Sequence, residues 1–143
     1  MKLAAIVFLL ATAACGSPQK PTEIVGPPPA DAKARVTTAL ASAGHVPDSA
    51  TSTDTLVVTE WRDTGFGYGF VDHEKATIVR RFLVAIGTNA TTVRIDAKKC
   101  AVGGFTIDGV DIRGRCENTA EIPGPIQSEL DDVAAKVKTA LAN

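Results

Sequence analysis

The side chains of this 143-residue chain that could do chemistry are three cysteines, two histidines and a few clusters of carboxylates and arginines. Cys100 and Cys116 enclose a short loop. A redox pair would want Cys-x-x-Cys at a helix N-terminus, where the thiol pKa falls, and this spacing does not supply it. A zinc site would have to recruit His45 or His73 from distant segments, with no ligand pair at the usual separation. The expectation is a structural disulfide, with no metal and no cofactor. Asp72-His73-Glu74 holds metal-ligand chemistry in one run, but on extended chain Asp72 and Glu74 would converge without His73, so a solvated turn is expected. His45 follows a helix-ending glycine, and a surface cap or a packed imidazole accounts for it. Ser17, Ser42, Ser49, Ser52 and Ser128 sit in no nucleophile elbow. The run Gly65-Phe66-Gly67-Tyr68-Gly69-Phe70 has the glycine spacing of a phosphate loop without the required strand, loop and helix order. It reads as a mobile hairpin tip on which Phe66, Tyr68 and Phe70 would form an aromatic contact patch. Among Arg80, Arg81 and Arg94, two paired strands would put Arg81 and Arg94 on one exposed face, able to meet an anionic headgroup, an acidic glycan or a partner carboxylate. Glu60 and Asp96 are the acids that would neutralise such a patch.

Cys15 is the third thiol, and its context differs from that of the pair. Lys2 gives a positive start, residues 3–11 an apolar stretch, and Thr12-Ala13-Ala14 a small-residue site immediately before the cysteine. The stretch is too short to span a bilayer, which takes roughly 20 apolar residues. These residues resemble the lipobox of bacterial lipoprotein signal peptides, with Thr12 where leucine is commonest. The resemblance implies thioether linkage of Cys15 to diacylglycerol, removal of residues 1–14 and acylation of the new N-terminus, palmitate being one such chain. An ordinary secretory signal cut after Ala14 is the alternative. Gly16 stands where an inner-membrane retention signal of Gram-negative lipoproteins would place aspartate, which points to the outer membrane, facing the periplasm.

The elements that must position these residues follow from period and punctuation. Residues 15–29, rich in proline and ending in Pro27-Pro28-Pro29, read as a lipidated tether of polyproline character reaching on the order of 40 Å when extended. Residues 30–143 read as a single domain. Ala32, Val36, Ala39, Leu40 and Ala43 recur at helical spacing up to Gly44, a C-cap residue. A first strand is expected over 55–62, with Val57, Thr59 and Trp61 on one face and Leu56, Val58 and Glu60 on the other. A second, over 76–86, alternates Ala76, Ile78, Phe82, Val84 and Ile86 toward a core, interrupted by Arg80. A third, over 91–98, pairs with it through a tight turn at 87–90 containing Asn89. Within the cysteine loop, Phe105 with Ile107 and Val110 with Ile112 flank Asp108-Gly109, a hairpin dipeptide. Finally, Ile126, Leu130, Val133, Val137 and Leu141 form the apolar stripe of a C-terminal helix. Pro125 is expected at its first helical position, behind Gly124, with acids toward its start and lysines toward its end. Burying both helical stripes against the sheet gives an α+β fold, a two-layer sandwich of an antiparallel sheet of three or more strands packed by an N-terminal and a C-terminal helix.

The helix ending Ala43-Gly44-His45, the strand Leu56-Val57-Val58-Thr59-Glu60-Trp61-Arg62 and the later Arg80-Arg81-Phe82 are similar to helix-grip domains of envelope lipoproteins, such as the accessory lipoprotein of the outer-membrane barrel assembly machine. The similarity covers about half of the mature chain and implies a noncatalytic assembly role without a cofactor. The cysteine pair and the single copy of the domain depart from that pattern.

A net charge of -1 gives no broad basic footprint, so nucleic acid is not an expected partner, and with aromatics at 5% no stacking surface for carbohydrate or bases is expected. The functional expectation is a lipid-anchored envelope module that binds another envelope component. The alternatives are a small hydrolase with its site on residues 65–74 and a passive structural lipoprotein. An enzyme would gather His73 with a carboxylate and a nucleophile, whereas a binder would present a flat or grooved surface carrying Phe66 or Tyr68.

Overall fold

A computed structural model describes residues 16–101 and 116–143. Cys15, residues 1–14 and the hairpin expected around Asp108-Gly109 lie outside the described residues. In chain order the elements are β1 (Ser17–Pro18), β2 (Thr22–Val25), α1 (Ala32–Ser42), β3 (Leu56–Val58), β4 (Arg62–Val71), β5 (Glu74–Ile86), β6 (Ala90–Ala101), β7 (Cys116–Asn118), β8 (Glu121–Ile122) and α2 (Gly124–Ala142). The chain is an α+β fold in which the two helices pack on one face of a six-stranded antiparallel sheet.

The central pair is the expected hairpin. β5 and β6 run in unbroken register from Ala76↔Ala101 to Ile86↔Thr91. Gly87 closes it, donating to the Ala90 carbonyl at 2.9 Å, and a Cβ at Gly87 would sit 2.8 Å from that oxygen. β3 and β4 share the free edge of β5, while β2 and β7 share that of β6. Facing residues of an antiparallel pair lie on the same side of the sheet. Ile78, Phe82 and Val84 of β5 therefore join Val93, Ile95 and Ala97 of β6 in one apolar layer beneath the helices.

The helices close that layer as their stripes require. α1 buries Ala32, Val36 and Leu40, and α2 buries Ile126, Leu130, Val133, Ala134 and Val137. Each large aliphatic side chain so removed from water contributes about 1.5–3 kcal/mol. α1 ends in a Schellman motif, in which the His45 amide donates to the Leu40 carbonyl at 2.9 Å and that of Gly44 to Ala41 at 3.0 Å. Gly44 holds φ +86 there, a conformation that suits glycine. Helix α2 starts one residue earlier than the proline rule suggests, with Pro123 as N-cap and Pro125 second in the helix, where a missing N–H costs nothing.

The segment 16–29, read as a free spacer, is instead bound into the domain over its first ten residues. β2 adds to the edge of β6 from Thr22↔Val93 to Val25↔Ala90, and β1 pairs with β8 through Ser17↔Ile122 and Pro18↔Glu121. Between β2 and β7 the Gln19 side chain stands in for a strand. Its Nε2 donates to the Ile95 carbonyl at 2.7 Å, and its Oε1 accepts from the Ile95 amide at 2.9 Å. Gln127 does the same for Lys20, accepting from its amide at 2.9 Å and donating to its carbonyl at 3.1 Å. Each such exchange satisfies backbone groups that would otherwise lack partners at a sheet margin.

The Gly65–Phe70 run, read as a mobile hairpin tip, is strand β4. Two irregularities interrupt its pairing with β5, between Asp63 and Gly67 and between Gly67 and Phe70, and Gly65 and Gly69 sit within them at φ +68 and +67. Such bulges place glycine where a positive φ is required. The tip lies beyond, at Asp72-His73, with φ of 49 and 66 at the two central residues, the mark of a type I′ turn.

Candidate functional site: the outer face of the sheet

The face of the sheet away from the helices gathers two cation–π contacts about Trp61. Register pairs Arg81 with Asp96, Leu83 with Arg94 and Val79 with Lys98, so Arg81, Arg94, Asp96 and Lys98 share that face. The Arg81 guanidinium carbon lies 4.6 Å from the centroid of the Trp61 ring, and the Lys98 ammonium lies 5.2 Å from it. Arg81 Nε also donates to Asp96 Oδ2 at 3.0 Å. Arg94 is exposed and has no acidic partner among the described residues. Cation–π contacts contribute about 0.5–1 kcal/mol at exposed sites, so their main effect is to hold Arg81 and Lys98 with the indole in one layer. Beneath it Val79 is fully buried and Leu83 nearly so. The arrangement combines two cations held on an aromatic with an Arg94 that is unpaired among the described residues, which suits an anionic or carboxylate-bearing partner.

Of the expected contact residues, Arg81 and Arg94 are brought together and the three aromatics are not. Phe66 and Tyr68 are half-buried against the helix-side core, and Phe70 alone is exposed, at 64%. The bulge before Phe70 puts it opposite Lys75 on the outer side, whereas Tyr68 reaches inward, its hydroxyl accepting a hydrogen bond from the Gly16 amide at 3.0 Å. The surface expected to carry Phe66 or Tyr68 is therefore replaced by one that carries Trp61.

Trp61 was expected to share a face with Val57, and the structure puts it on the opposite one. Val58 faces Leu83 and Arg62 faces Arg80, so between these pairs the β3–β4 side contains one more residue than β5. Thr59 still pairs here, its amide donating to the Phe82 carbonyl at 3.0 Å and its hydroxyl accepting from the Phe82 amide at 2.9 Å. Glu60 then turns away, its amide donating to the Val46 carbonyl at 2.8 Å. A slip of one residue moves every following side chain to the other face, which is how Trp61 reaches Arg81. The available clue was the polar set Arg81, Asp96 and Lys98 on a hairpin face otherwise lacking an apolar cover.

On the helix side, Arg80 explains its own interruption of the β5 core face. It is 6% exposed and forks onto Glu129 of α2, with Nε donating to Oε2 at 2.9 Å and Nη2 donating to Oε1. Its guanidinium lies 4.7 Å over the Phe82 ring, and His45 packs against that ring at 4.6 Å. His45 Nδ1 is buried without a hydrogen-bond partner, and burial, reinforced by the positive charge of Arg80, holds the imidazole below its ordinary pKa. Glu129 opposes this, while Arg62 and Lys136 add to it.

The consequence is a pH-dependent stability with a definite sign. Between the ordinary imidazole pKa of about 6.5 and the lower folded value, the unfolded chain binds more protons, so stability is complete above this window and declines as pH falls through it. Thermal unfolding of the wild type and His45→Gln at pH 7 and pH 5 should show a larger acid loss for the wild type. Asp31, held low by its hydrogen bond from Arg35, and Asp48, held low by Thr51, contribute only at more acid pH. Equal acid losses in the two proteins would count against a neutral His45.

His73 is exposed at the β4–β5 turn, as the reading of Asp72-His73-Glu74 as a solvated turn expects. Cys100 and Cys116 face each other across β6 and β7 and are joined, with a sulfur–sulfur distance of 2.04 Å. Among the described residues no group of three or more His, Cys, Asp or Glu side chains could hold a metal ion, and no helix is long and apolar enough to cross a membrane. A comparison of the chain with protein families, curated proteins and solved structures finds no match.

Proposed function

We propose that this protein is a lipid-anchored envelope module that acts by binding, and that the Trp61, Arg81, Arg94 and Lys98 face takes an anionic envelope component as its partner. The single observation behind the partner chemistry is the stacking of Arg81 and Lys98 on Trp61, beside an Arg94 that has no acid to neutralise it among the described residues. Holding the cations in place before contact reduces the ordering cost that a flexible cationic surface would incur on binding. Tryptophan and arginine are also the side chains that most often dominate interface energetics. The anchor is Cys15, and the compartment in which it would be lipidated permits the Cys100–Cys116 bond. An assembly role like that of the helix-grip lipoproteins is compatible with this face.

The test is crosslinking of the lipoprotein in its native envelope followed by mass spectrometry, comparing the wild type with Arg94→Glu and Trp61→Ala. A component recovered with the wild type should fall by roughly tenfold or more with either variant, the effect of losing an interfacial anchor of about 2 kcal/mol. Recovery that is the same in all three would remove the outer face from consideration. Nothing recovered above background would remove the assembly role.

A further inference from the structure

We infer that His45 is an acid-sensing latch on the outer face: protonation lifts its ring from Phe82, frees the pairing of Val46 with Glu60 and lets Trp61 leave Arg81 and Lys98. The face is then assembled at neutral pH and comes apart in mild acid. This regulation acts on the face proposed above and rests on its being the binding surface. Trp61 owes its side of the sheet to the added residue between β3 and β4, and that stretch is held from two directions. Thr59 is fixed to Phe82, its amide donating to the Phe82 carbonyl and its hydroxyl accepting from the Phe82 amide. Glu60 is fixed to the Val46 carbonyl, with the Pro47–Thr59 bridge beside it and the Asp48 amide donating to the Val58 carbonyl at 2.8 Å. His45 joins the two supports, because its ring lies on Phe82 at 4.6 Å and its backbone runs directly into Val46.

The ring is placed where its neutral form fits and its charged form does not. A neutral imidazole carries one N–H and can keep Nδ1 as a bare lone pair, whereas the imidazolium carries an N–H on both nitrogens. In its present position the added N–H would be buried with nothing to accept it, since Nδ1 has no hydrogen-bond partner. The charged groups that face the ring from the elements packed about it are Arg80 of β5, Arg62 of β4, and Glu129 and Lys136 of α2. Arg80, Arg62 and Lys136 repel an added proton, and both oxygens of Glu129 are engaged by Arg80. A protonated ring is therefore driven toward water. The His45 amide stays tied to the Leu40 carbonyl at the end of α1, so the displacement is taken up on the other side, where Pro47 stiffens the chain and passes the movement to the Val46 carbonyl. A released ring takes its proton near the ordinary value of about 6.5 and the seated ring only at lower pH, so between these values each fall in pH favours release. The latch opens locally, while the helices and the β5–β6 hairpin stay folded.

Trp61 is the chain's single tryptophan, so its emission reads the latch without a partner. The full-length protein in detergent micelles is compared with His45→Gln, His45→Phe and His73→Gln, the last removing the chain's other histidine. In the wild type and His73→Gln, acrylamide quenching of Trp61 should rise roughly twofold from about pH 7 to about pH 5, the range in which histidine titrates. Over the same range the hydrogen-exchange protection factor of the Glu60 amide should fall roughly tenfold, with the far-UV circular dichroism unchanged. Neither quantity should respond to pH in the two His45 variants. The wild-type protection of Glu60 keeps the test independent of how well either variant folds. Indifference of Trp61 and Glu60 to pH in the wild type, a response retained by a folded His45 variant, or a response that comes only with loss of the far-UV signal overturns the latch. Each of these leaves crosslinking of the face at neutral pH untouched, and a failed crosslink leaves the pH response of Trp61 untouched, so the two readings fail separately.

Discussion

Glu129→Leu is expected to destabilise the domain by about 3 kcal/mol, whereas Arg80→Met combined with Glu129→Leu should return to within about 1 kcal/mol of the wild type. The asymmetry comes from where the charges lie. The Arg80 side chain is 7% exposed and that of Glu129 30%, so removing the carboxylate leaves a guanidinium beneath α2 with no counter-charge and little water. Arg80 keeps its contact with the Phe82 ring, which offsets only part of that loss. Removing both charges replaces the pair with apolar volume on a β5 face that is otherwise a core face, and the desolvation penalty disappears with the charges. Urea unfolding of the domain carrying Cys15→Ser would measure all three proteins. A single variant as mild as the double would mean that water reaches Arg80 from the Glu129 side.

Replacing both members of the cysteine pair with serine should cost about 3 kcal/mol, the chain-entropy value for a loop of this size, and lower the melting temperature by roughly 10 °C. The bond closes a sequence separation of 16 residues and holds β7, a strand of only three residues, on the margin of β6. The main apolar cluster lies under the helices, so the double variant should remain folded with β7 released. Amide exchange should accelerate at Cys116–Asn118 and much less in the central hairpin. In the untreated protein neither thiol should react with a labelling reagent. Full labelling of the native protein, or an unchanged melting temperature in the double variant, would refute a stabilising crosslink.

Much of the architecture was legible because its determinants are local. A stripe of Ile126, Leu130, Val133 and Val137 can be buried on only one side of a helix, and Gly44 ends α1 because its φ of +86 admits glycine most easily. Alternation along 76–86 and 91–98 with a glycine turn between them specified the β5–β6 hairpin in the same way. β4 is not legible in the sequence although Thr64, Phe66 and Tyr68 alternate correctly. Their alternating partners are glycines, which are depleted in strands and mark bulges only when a neighbouring strand supplies the register.

The chain's own local pattern thus established the two helices, the central hairpin and the cysteines available for pairing, since side-chain periodicity, turn chemistry and thiol count act over a few neighbouring residues. It left open the docking of the first segment, the side of the sheet that Trp61 occupies and the partner of Arg80. Gly16 meets Tyr68 across 52 positions, Arg80 meets Glu129 across 49, and Lys20 meets Gln127 across 107. Contacts so distant along the chain leave no periodic trace, and one added residue between β3 and β4 is enough to reverse a face, so these choices arise only when the sheet is assembled and its edges are filled.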